Sequence, residues 1–124
     1  MGYQYKTLFQ SRLCLRFVSL KLNHSDADDY CKANGARLVR AKTQDVINVV
    51  TEGQGDFVWV GADDIAVEAE HHWNDGTPLL LNDTLWGTDE GVRSDEECVA
   101  VNPSKELADL QCSREHPFVC QMQM

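Results

Sequence analysis

No apolar run in these 124 residues approaches the roughly 20 that a membrane-spanning helix requires, so a span is excluded. Residues 1–6, Met1-Gly2-Tyr3-Gln4-Tyr5-Lys6, hold no apolar stretch of the kind that opens an export signal; if the protein is exported, the expectation is that its signal has been removed. There is no Cys-x-x-Cys and no His-x-x-x-His, which removes the commonest zinc and dithiol sites. A Gly-rich phosphate loop, a serine nucleophile elbow and a supported acid–base pair are all missing, so the expectation is a chain that is not an enzyme. Glu68-Ala69-Glu70-His71-His72 sets acids beside histidines without the His-Glu-x-x-His spacing, and adjacent strand side chains point to opposite faces. Bases are scarce too. Eleven Lys and Arg against twenty Asp and Glu give a net charge of −9, which repels nucleic acid and anionic lipid.

What is present fits one domain over residues 1–124, with 43% hydrophobic residues and 25% charged. The charge is unevenly placed. Between Gly61 and Cys98 stand eleven carboxylates and a single base, Arg93, leaving nine acids and ten bases elsewhere. Such a segment is either a solvated acidic loop or a divalent-cation site. Five cysteines in so short a chain read as a disulfide framework, and hence an oxidising, extracellular setting. Cys31, Cys98, Cys112 and Cys120 can pair in three ways. Cys14 is left over, either as a buried thiol or as the link of a covalent homodimer. Asn23-His24-Ser25 and Asn82-Asp83-Thr84 are glycosylation sequons, a pattern common by chance.

Along the chain, residues 13–20 read as a strand rich in β-formers. Ser25 is a suitable N-cap for a helix whose Asp26, Asp28 and Asp29 suit the positive end of its dipole and whose Ala27, Tyr30 and Cys31 share a face before Gly35. Thr43 caps a second helix with Val46, Ile47 and Val50 as its apolar stripe, ending near Gly53. Residues 57–60, 98–101 and 117–120 read as later strands. Helices first and strands after favour α+β with antiparallel sheets. Residues 75–97 show no period, and loops beyond ~12–15 residues in compact domains tend to be functional.

These pieces form a recognisable series: Asp26-Ala27-Asp28-Asp29-Tyr30-Cys31, Gly35-Ala36-Arg37-Leu38, Trp59-Val60-Gly61-Ala62, Trp73-Asn74-Asp75-Gly76, Trp86, Cys98, Cys112 and Phe118-Val119-Cys120. In this order and spacing the chain resembles a C-type lectin-like domain over nearly its whole length, in the compact single-domain form of soluble lectins. The resemblance implies that fold, with two helices, antiparallel sheets and a long loop region, and the disulfides Cys31–Cys120 and Cys98–Cys112. It puts Trp59 in the central core strand and Trp73 and Trp86 at the two ends of the long loop.

It also implies a calcium ion that two sugar hydroxyls coordinate, held by oxygen ligands because calcium is a hard cation. Carried over residue by residue, Glu90 matches the family's Glu-Pro-Asn, Glu96 a further ligand and Asp109 the last residue of Trp-Asn-Asp. Gly91 and Val92 replace the proline and amide of the first motif, and Leu107 and Ala108 the first two residues of the second. Three carboxylates therefore stay and both amides go, which removes donors to sugar oxygens. Arg93 can take the cation's place by pairing with Glu90 or Glu96. A second calcium position of the family maps onto Asp64, Glu68 and Glu97, the alternative being ordinary surface acids. The expectation is an extracellular recognition module that binds glycans through Glu90, Arg93, Glu96 and Asp109, with calcium as its candidate cofactor. The competing expectation is a calcium-independent domain that sets its acidic loop against a basic protein.

Overall fold

The computed structural model describes residues 4–8, 11–65, 70–80, 84–87 and 97–122, with side chains from residue 13 onward. The chain opens with an antiparallel pair, β1 (Gln4–Leu8) and β2 (Ser11–Leu22), in which Tyr5 lies opposite Cys14. The early strand is thus longer than its apolar stretch and has a partner that the sequence did not announce. Leu15 is fully buried and Val18 nearly so, which places β2 on the core.

The first helix, α1 (His24–Ala33), starts two residues earlier than an N-cap at Ser25 would place it. Asn23 is its N-cap, and its side-chain oxygen accepts the Asp26 N–H at 2.8 Å. Asparagine caps as well as serine does, and the earlier start brings His24 into the helix, where its ring reaches the core. Of the three aspartates, Asp26 lies in the first turn, whereas Asp28 turns to Arg37 with two hydrogen bonds of 3.1 Å. Gly35 follows at φ +76°, a left-handed position that glycine takes without a Cβ penalty, and leads into β3 (Ala36–Leu38). The second helix, α2 (Gln44–Val50), keeps its expected cap: Thr43 Oγ1 accepts the Val46 N–H at 3.3 Å. Its buried residues are Val46, Ile47 and Val50, the stripe read from the sequence.

Strands dominate the rest: β4 (Val58–Asp63), β5 (His71–Trp73), β6 (Pro78–Leu79), β7 (Cys98–Val101), β8 (Leu107–Leu110) and β9 (His116–Met122). The main path runs β1-β2-β9-β4-β5-β6, with β3 on β9, β7 on β4 and β8 on β7. Pairing among these strands is antiparallel except for β4 with β9, which meet in parallel at Trp59 and Phe118. The segment expected to be one long loop contains β6 and a bridge from Trp86 to Leu107.

β4 is buried on both faces and divides the core in two. On one side Val60 joins α2 with Ile47, Val50, Val99 and Leu107; on the other Trp59 joins α1 with Ala27, Leu38, Ala100 and Phe118. Trp59 donates its indole N–H to the Leu22 carbonyl at 2.9 Å, which satisfies the polar atom of a fully buried ring. Each such large side chain contributes about 1.5–3 kcal/mol by leaving water. Cys31 pairs with Cys120 and Cys98 with Cys112, the arrangement implied by the resemblance. Cys14 is a buried free thiol.

Candidate functional site

The base of the long loop is assembled where β4 ends, β7 begins and β8 ends. Asp63 pairs with Cys98 beyond a register shift in β4, and the Asp64 N–H donates to the Glu97 carbonyl at 3.0 Å. Cys112, just past β8, is bonded to Cys98, and its carbonyl accepts the His24 N–H at 3.1 Å. Four separate stretches of chain, the start of α1 among them, are thus held at one place by a covalent bond and two backbone hydrogen bonds.

Of the carboxylates expected here, the described Asp64, Asp109 and Glu97 differ in exposure. Asp64 is 3% exposed, with Oδ2 3.8 Å from Nε2 of the buried His71, whose ring packs edge-on against Trp86 at 5.1 Å between centroids. Asp109 is 1% exposed in the middle of β8, opposite Val99, so it does not present a carboxylate to solvent. Leu107 and Ala108, in the places of two motif residues, are buried strand positions. Glu97 is half-buried and lines an open groove of about 490 Å3 together with Ile65, Gln111, Cys112 and Ser113. Glu68, Glu90, Arg93 and Glu96 lie outside the described residues. Among the described residues no three His, Cys, Asp or Glu side chains converge as a metal site would require.

Gln111, Ser113 and Ile65 were not singled out from the sequence. A signal was available: two exposed polar residues flank the cysteine that closes the loop. The histidine pair behaves as its spacing requires, His71 buried and His72 exposed. Trp73 is buried, and Trp86 is half-buried with its indole N–H donated to the Leu80 carbonyl at 2.9 Å, so both serve as anchors of the loop rather than as exposed stacking surfaces.

Around this base the electrostatics are structural. Burial lowers the pKa of His24, whose Nε2–H donates to the Val60 carbonyl at 2.9 Å, so the neutral ring is favoured. Burial alone would raise the Asp28 carboxyl, but the hydrogen bonds from Arg37 and the Leu38 N–H, with the charges of Arg37 and Lys32, hold it below its ordinary value. Asp75 is held well below the usual carboxylate range, chiefly by the Lys42 ammonium at 2.6 Å and then by Thr77.

A smaller cavity of about 200 Å3 adjoins the groove. Ile65 and Cys112 line both, and its far wall is the exposed side of α1 at Ser25, Asp29 and Lys32.

Comparison with known proteins gives a consistent result. The family model for the lectin C-type domain matches residues 20–122. A lectin from Polyandrocarpa misakiensis is 30% identical over 117 residues, covering 87% of this chain and 94% of that protein. Snaclec botrocetin subunit beta from Bothrops jararaca is 28% identical, covering 89% of this chain and 90% of the relative. A C-type lectin structure from the tunicate Polyandrocarpa misakiensis superposes with a TM-score of 0.81 at 25% identity, over 98% of this chain and 99% of the other. A calcium-independent type II antifreeze protein shares the fold with a TM-score of 0.78 at 19% identity, over 94% of this chain and 89% of the other.

Proposed function

Because the chain belongs to the C-type lectin domain family, a family of non-enzymatic binding modules, we propose that it is an extracellular recognition domain that binds glycans without calcium. The observation that carries this reading is the direction of the acids at the loop base: Asp64 and Asp109 face inward, while Glu97 opens onto a groove beside Gln111 and Ser113. Neither Asp64 nor Asp109 lines that groove. Both amides of the family motifs are absent, and Gln111, outside those motifs, offers both donors and an acceptor beside the groove. Two disulfides support an oxidising compartment. The relatives that carry the name lectin support a sugar as the ligand.

A glycan array run in calcium and again in chelator tests this directly. Signal that is equal in both is the expected result; signal abolished by chelator would return the metal to the site. Silence in both would favour the protein-binding alternative, in which the acidic stretch from Gly61 to Cys98 meets a basic partner. Thermal melting gives a second check. An ion present at a hundredfold its dissociation constant adds ~2.7 kcal/mol, so an unchanged Tm in millimolar calcium is expected.

A further inference from the structure

We infer that the groove between Ile65, Glu97 and the turn Gln111–Ser113 is the ligand seat, and that it takes a neutral oligosaccharide of two or more rings with no metal between protein and sugar; this rests on the glycan reading above. The groove is of ligand size, about 490 Å3 against the ~300–1,000 Å3 of small-molecule sites. Its polar groups suit vicinal hydroxyls, each of which donates and accepts. The Gln111 amide does both, the Ser113 hydroxyl does both, and the Glu97 carboxylate accepts. Ile65, 59% exposed, gives an apolar surface for the C–H face of a sugar ring, where exposure would otherwise be costly.

The backbone of the described lining is anchored before any ligand arrives. Cys98, next to Glu97, is bonded to Cys112, which stands between Gln111 and Ser113. The Asp64 N–H on the Glu97 carbonyl fixes the residue beside Ile65, and the Arg114 N–H on the Gln111 carbonyl, at 3.1 Å, closes the turn. Such fixed geometry reduces the ordering cost of binding. Length follows from the adjoining cavity: beyond Ile65 and Cys112 it offers Ser25, Asp29 and Lys32 to a second ring. Neutrality follows from Glu97 and the net charge of −9, which oppose sialylated or sulfated chains.

The test is a titration of the 15N-labelled chain in chelator with lactose, cellobiose and α-mannobiose, with sialyllactose as the anionic comparison. At least one neutral disaccharide is expected to shift the amides of residues 64–65, 97 and 111–113. Gln111→Ala, an exposed position whose melting temperature should stay at the wild-type value, is expected to weaken that binding about tenfold. Shifts elsewhere, with Gln111→Ala binding as wild type, would overturn the inference and leave glycan recognition standing. No shift from any neutral disaccharide overturns it as well; a silent array in addition removes the glycan reading itself.

Discussion

Asn74 reaches across Gly61: its Nδ2 donates to the Leu38 carbonyl at 2.8 Å and fills the space that a Cβ on residue 61 would need. The same Cβ would lie 2.7 Å from the Leu38 carbonyl oxygen, and the Asn74 Oδ1 accepts from Arg40 at 3.0 Å. The glycine of the Trp-Val-Gly strand is therefore a packing requirement that joins β3, β4 and the turn after β5. Gly61→Ala is expected to cost about 1–3 kcal/mol, read as a drop in Tm by calorimetry. A variant that melts with the wild type would refute this account of the glycine.

The two disulfides close loops of very different length, 89 residues between Cys31 and Cys120 and 14 between Cys98 and Cys112. Chain entropy assigns about 4.5 kcal/mol to the first and about 3 to the second. Urea unfolding of the two double serine variants should show the greater loss for Cys31/Cys120. The reverse order would mean that native packing around the loop base outweighs unfolded-state entropy.

Asp28 has a folded-state pKa below its unfolded value, because Arg37, the Leu38 N–H and Lys32 outweigh its burial. Its contribution is therefore complete above about pH 4 and is lost as pH falls through the lower, folded value. Asp28→Asn should lower Tm at pH 6 and show a shallower further decline between pH 4 and 2 than the wild type. Parallel declines would show that this carboxyl has no part in acid unfolding.

His24 carries the same sign for a different reason. Burial disfavours its charged form, so between the unfolded value near 6.5 and the lower folded value the unfolded chain binds the proton first. Stability is then full above pH 6.5 and declines on acidification. His24→Gln should reduce the loss of Tm between pH 7 and 5, and an unchanged slope would assign that loss to other groups.

Cys14 is 5% exposed inside β2. A buried thiol reacts slowly because reagents have restricted access to it. Mass spectrometry without reductant should give a single-chain mass, and iodoacetamide should label one cysteine only after denaturation. A covalent dimer would restore the linking role that the odd cysteine count allowed.

The fold was legible wherever local chemistry and tertiary need agree. The Thr43 cap with the Val46, Ile47 and Val50 stripe, and the apolar strand at Trp59-Val60, follow from periodicity and composition alone. β1 was not legible, because a polar edge strand such as Gln4–Leu8 carries no apolar pattern and owes its form to β2. Leu107–Leu110 was hidden by the motif comparison, which treated its residues as ligand positions, although their burial is that of a core strand.

By itself the sequence determined a disulfide-stapled α+β chain with an acidic stretch and a family likeness, because cysteine spacing, tryptophan positions and hydrophobic runs are properties of the chain. Which acids face water was decided only by the tertiary structure. Side-chain direction at the loop base depends on a register shift in β4 and on how β7 and β8 meet it, and these long-range pairings turn Asp64 and Asp109 inward and set Gln111 and Ser113 at the surface.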